Sequence, residues 1–153
     1  MSSKTLCGWL RAATIAVAVC FLILMGYVMP VLLKSEFSPG YYPWLIFLWI
    51  CALPCFAVFT CVWKVSGEIM REKVFTLRTA QWVHTGAILL FADVGLFFAG
   101  NLIYIAIGLS RPGILMCSLL IDIFGISLAL AAATLSRYLT KAATLQEESE
   151  GTI

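Results

Sequence analysis

The stretch ILLFADVGLFFAGNLIYIAIG, residues 88–108, has a single charge, Asp93, in an otherwise lipid-like run. It reads as a helix built to cross a bilayer, with a carboxylate kept in its middle. The rest of the chain agrees with that reading. Of 153 residues, 62% are hydrophobic and 12% charged, with a mean hydropathy of +1.00. Soluble domains are nearer half apolar and a quarter charged, so composition alone points to a membrane protein. The net charge of +2 gives no reason to expect direct nucleic-acid contact.

Four apolar stretches are long enough to span. They run over about 12–33, 44–63, 82–108 and 113–135, the third carrying Asp93 and the fourth Asp122. The first has no charge from Ala12 to Leu33, roughly 33 Å of helix against a hydrocarbon core of about 30 Å. Lipid offers the backbone no hydrogen-bond partners, so all four are expected to be α-helices. The first run is too long for a signal-peptide core and lacks a small-x-small cleavage site, which makes it an uncleaved span. The fold class expected is therefore all-α, a single four-helix membrane domain with a connecting loop at 64–81 and a tail at 136–153.

Lys and Arg distribute unevenly between the two sides. Lys4, Arg11, Lys64, Arg71, Lys73, Arg78, Arg137 and Lys141 fall on one side, and Lys34 and Arg111 on the other. The positive-inside rule then places both termini and the 64–81 loop in the cytoplasm, in the cell inner membrane. Aromatic belts fit: Trp9, Trp63, Trp82 and Tyr138 at the inner interface, Tyr41, Tyr42, Trp44 and Tyr104 at the outer one. The turn KSEFSPGYYPW, 34–44, reads as a tight interfacial connection.

Individual residues give further expectations. Pro54 removes one hydrogen bond from the second helix and should kink it. Gly67 is placed to end that helix, and Ile69, Met70, Phe75 and Leu77 then suggest a short interfacial helix. Arg71, Lys73 and Arg78 beside it would reach lipid headgroups or dock a cytoplasmic protein. The tail keeps a helical stripe, Leu135, Leu139, Ala142 and Leu145, before Glu147, Glu148 and Glu150. Six cysteines form no disulfide or zinc pattern. Cys51 and Cys55 share a helical face, but with no further His or Cys nearby, neither metal nor cofactor is expected.

Asp93 and Asp122 lie at similar depths, roughly 16–20 Å from the basic side at 1.5 Å per residue. Gly86, Asp93 and Gly100 recur every seven residues with Asn101 alongside. On the fourth helix Ser118, Asp122, Gly125, Ala129 and Ala132 follow spacings of three and four. Such small-residue stripes let membrane helices approach closely. No Lys or Arg lies at that depth, and a bare carboxylate there costs about 2.5 to 3.5 kcal/mol. At least one aspartate is expected to be protonated, hydrogen-bonded to the other, to Ser118 or to Asn101. The pair reads either as a structural clasp, as a proton- or cation-linked site, or as contact for a polar ligand or a second copy. His84 is nine residues from Asp93, about half a turn out of phase, so a relay through the two is not expected.

The segment SGEIMREKVFTLRTAQ, 66–81, and the ending LQEESEGTI, 145–153, resemble a family of small bacterial four-span membrane proteins known only as a domain of unknown function. In that family the Phe of the loop is usually followed by a Glu-Asn pair, where this chain has Leu77-Arg78. Members are often encoded beside a small Cro/CI-type helix-turn-helix regulator, so the resemblance implies a cytoplasmic transcription-factor partner. The chain has no HExxH, no GxSxG, no phosphate loop and one His, and an enzyme is not expected. A non-enzymatic sensor or regulatory partner fits the polar residues crowding one side. Proton-coupled transport as a homo-oligomer, or immunity to a membrane-active peptide, are the alternatives.

Overall fold

The computed structural model describes residues 3–36, 40–71 and 73–151. Every regular element among them is a helix. The first span comprises α1 (Ser3–Ile23), a π turn (Leu24–Val28) and α2 (Met29–Glu36) in unbroken succession. Then come α3 (Tyr41–Met70), α4 (Leu77–Ala106) and α5 (Pro112–Gly151). Four of these helical units are long and apolar enough to cross a membrane, as the hydropathy pattern predicts. At 40 residues α5 is roughly 60 Å long, twice the hydrocarbon core, so it continues well past the bilayer.

Local chemistry sets the boundaries. Thr76, in an extended conformation, caps α4: its side-chain oxygen accepts from the Thr79 amide at 3.3 Å. The other end of α4 closes in a Schellman motif. Gly108 takes φ +75°, the Leu109 amide reaches the Tyr104 carbonyl at 2.8 Å, and the Gly108 amide reaches that of Ile105 at 3.0 Å. Pro112 then opens α5, where a missing amide hydrogen costs nothing. The π turn has an equally local cause. Pro30 has no amide hydrogen and its ring would press on the carbonyl of Gly26; the widened turn, in which the Met29 amide bonds Leu24, takes up the strain.

Two expectations for the basic end are corrected. Gly67 does not end the second helix, which runs to Met70. The first span holds it there: the Cys7 thiol donates to the Ser66 carbonyl at 2.9 Å, and Arg11 Nε donates to Ser66 Oγ at 3.2 Å. No interfacial helix forms either. Ile69 and Met70 finish α3 and Leu77 starts α4, leaving only 71–76 between them. Residues 64–81 are thus mostly helix. Pro54 lies within α3, which continues through it. The centre of the first turn, 37–39, together with Glu72 and the closing Thr152-Ile153, lies outside the described residues.

Helices pack in chain order: the first span on α3, α3 on α4, and α4 on α5. Among the described residues no Cα of the first span comes within 8 Å of α5. The bundle is therefore open along one side, between its first and last helices. Most large apolar side chains point outward, Phe124 and Ile103 among them. In water this would be an aggregation surface; for spanning helices it is the lipid face. One apolar core gathers at the end away from the basic residues, around Leu33, Trp44, Phe47 and Cys51, with Phe97 and Tyr104 against it.

Candidate functional site

Two adjacent stripes on α4 organise the centre of the molecule. The first, Thr79, Gly86, Asp93 and Gly100, recurs every seven residues and faces α3. A Cβ on Gly86 would sit 3.8 Å from Cys61, and one on Gly100 would overlap the ring of Phe47. The second, Ala80, Ala87, Val94 and Asn101, is offset by one residue and faces α5. Ser136 Oγ donates to the Ala80 carbonyl at 3.1 Å, and a Cβ on Gly125 would come within 2.6 Å of Val94. On α5 the buried positions Asp122, Ala129, Ser136 and Ala143 keep the same interval. Seven-residue spacing keeps two helices in register over a long contact, because it nearly matches two turns.

These stripes relocate the first aspartate. The Gly86/Asp93/Gly100 stripe does not meet the small-residue stripe of α5; it packs on the second span. Asp93 Oδ2 there accepts from the Cys55 thiol at 3.1 Å. Asp93 and Asp122 do not hydrogen-bond to each other, to Ser118 or to Asn101: Asp93 turns to α3, and Ser118 and Asn101 donate within their own helices. Ser118 Oγ donates to the carbonyl of Leu115 at 2.8 Å, within its own helix. Asn101 Nδ2 donates to that of Phe97, also at 2.8 Å. The partner that Asp93 does find, Cys55, was recognisable in the sequence only as one of two cysteines sharing a face at the right depth.

Both aspartates nonetheless open into one cavity of about 330 Å³. All four spans line it: Phe21, Leu24 and Met25 from the first, Cys51 and Cys55 from α3, Asp93 and Phe97 from α4, and Asp122 and Gly125 from α5. A second cavity of about 310 Å³ adjoins it, sharing Met29, Leu48, Phe97 and Ile121 and reaching Asn101 and Ser118. Together they form a cleft beneath the gap between the first and fourth helices. The π turn contributes Leu24 and Met25 to its wall, so the Pro30 distortion helps shape it.

On residues that line this cleft, four buried oxygens have no hydrogen-bond partner among the described residues: Asp93 Oδ1, Asn101 Oδ1 and both carboxyl oxygens of Asp122. Asp122 is only 5% exposed and Asn101 1%. Buried polar atoms are satisfied in the great majority of cases, and each one left bare costs on the order of 1–3 kcal/mol. All four are oxygens: an amide oxygen or an ionised carboxylate only accepts, and a protonated carboxyl adds a single donor of its own. The site is short of donors.

The basic residues occupy the opposite end of α4. Arg71 caps α3, and Lys73 and Arg78 are exposed beside it. The exposed Arg78 lies 3.9 Å from the mostly buried Glu68, a long contact between the turn and the end of α3. Arg11 lies over the Trp63 ring at 4.9 Å and Lys64 over Trp82 at 5.4 Å, aromatic–cation pairs that suit an interface. His84 lines a shallow groove of about 520 Å³ with Arg137 and Lys141, away from the aspartates. Among the described residues no three His, Cys, Asp or Glu side chains cluster as a metal site would require.

No curated protein and no solved structure matches the chain. Residues 32–153 match a family described as a protein of unknown function, DUF2975. The match takes in α3, α4 and α5, the turn 71–76, and the Asp93, Asn101 and Asp122 that face the cleft. By that match, over most of its length, the chain belongs to the DUF2975 family.

Proposed function

We propose that this protein is a non-enzymatic membrane sensor that takes its signal in the cleft between the first and fourth helices and passes it to a cytoplasmic transcriptional regulator. The supporting observation is the set of unpartnered oxygens on Asp93, Asn101 and Asp122, residues that line two adjoining cavities at bilayer depth, each walled by all four spans. A fold has no use for such atoms, and a signal that supplies donors would bias the helices carrying them. Asp93 and Asp122 sit on the two helices that continue to the basic end, where Arg71, Lys73, Arg78, Arg137 and Lys141 gather. The same bias of positive charge supports an orientation with both termini and the 71–76 turn in the cytoplasm of a bacterial inner membrane.

The test pairs capture with output. Tagged protein is recovered from its own membranes beside a variant with Arg71, Lys73 and Arg78 replaced by Gln, and the promoter controlled by any helix-turn-helix protein found is assayed. The sensor reading expects such a protein with the parent, its loss from the variant, and altered promoter output in Asp122→Asn. Unchanged output in Asp122→Asn and Asp93→Asn together would refute it.

A further inference from the structure

We infer that the cleft binds a lipophilic organic amine in its protonated form, entering sideways from the bilayer between the first and fourth helices. The inference rests on the sensor reading for its biological meaning, but on the geometry for its chemistry. The wall is apolar and adaptable, with Phe21, Leu24, Met25, Met29 and Phe97, and thioethers fill irregular space readily. Asp122 and Asp93 line the same cavity and carry three of the four unpartnered oxygens. Small-molecule sites are cavities of roughly 300–1,000 Å³, mostly apolar, with a few placed polar groups. The main cavity, about 330 Å³, has that size and that composition.

The unpartnered atoms select the ligand class. A neutral hydrocarbon would leave every one of them bare. A bare inorganic cation would leave the apolar volume unfilled. A protonated amine brings two or three N–H donors and the opposite charge, and its carbon skeleton fills the remaining space; charge-assisted hydrogen bonds to carboxylate are the strong kind. A quaternary ammonium has the charge without the donors and is expected to bind less well. The route lies between the first span and α5, which among the described residues have no Cα pair within 8 Å.

The experiment uses the full chain in nanodiscs of phosphatidylcholine, a lipid without net charge, with radiolabelled 4-phenylbutylamine as probe and 4-phenylbutanol as its neutral match. Saturable amine binding near one per chain is expected, at least tenfold tighter than the alcohol and weakened at least tenfold by Asp122→Asn. Met25→Trp, which fills the cleft and leaves both carboxyls in place, is expected to weaken it as strongly. That second variant decides the matter should Asp122→Asn fail to fold. Equal binding of amine and alcohol, or parent-like binding by Met25→Trp, overturns the inference. Promoter output separates the two readings: a response to Asp122→Asn without amine binding would remove the amine and keep the sensor. Amine binding with no change in output would keep the site and remove the sensor.

Discussion

The two ends of the α3–α4 contact treat polar atoms in opposite ways. At the aromatic end, Trp44 Nε1 donates to the Leu109 carbonyl at 3.1 Å and Tyr104 Oη to that of Pro43 at 2.8 Å. Around them the rings of Trp44, Phe47, Phe97 and Tyr104 pack edge-on or stacked, with centroids 4.7 to 6.0 Å apart. Half a membrane away, Asp93 has one thiol for a partner and Asp122 has none. The same pair of helices that satisfies a phenol and an indole leaves Asp93 Oδ1 bare, and α5 beside them adds the two bare oxygens of Asp122. The aromatic end pairs its polar atoms, and the cleft leaves four oxygens without a partner among the described residues.

That contrast can be broken at several points. Phe47→Ala should cost the most, about 3–5 kcal/mol, because it empties the ring stack and the space under Gly100. A thermal melt in detergent that falls only slightly would show the aromatic end is not the anchor. Gly100→Ala should follow at about 1–3 kcal/mol, since its Cβ would overlap the Phe47 ring and force α3 from α4. The double variant with Phe47→Ala should recover part of that loss, which a double-mutant cycle would read. Tyr104→Phe should cost about 0.5–1.5 kcal/mol, one hydrogen bond with the ring kept. Cys55→Ser should be smaller still, because its hydroxyl keeps a donor on Asp93 Oδ2, and the same melt would read it.

Much of this architecture was legible in the sequence. Four apolar runs of membrane length can only be helices in lipid, and their number and approximate extent follow. The stripes were legible too, but not their neighbours. Thr79/Gly86/Asp93/Gly100 and Ala80/Ala87/Val94/Asn101 are one residue apart with the same period and similar small side chains. Nothing in one chain's spacing says which stripe meets α3 and which meets α5. That ambiguity explains why Asp93 was expected to bond across to Asp122 and instead meets Cys55.

The ends of α3 escaped for another reason. Gly67 weakens a helix locally, but Ser66 beside it receives Cys7 and Arg11 from the first span, and tertiary contact overrides propensity. The π turn had a visible cause in Pro30, three residues from the end of the uncharged run. Its consequence, two residues delivered to the cleft wall, needed three dimensions.

The most direct measurement is the melting temperature of Asp122→Asn beside that of the parent, in the same lipid and without added amine. If the carboxyl awaits a ligand, removing its charge from a buried site without partners leaves the fold as stable or raises its melting point. A fall as large as that of Tyr104→Phe would contradict the account and make Asp122 a clasp that holds α5 in place.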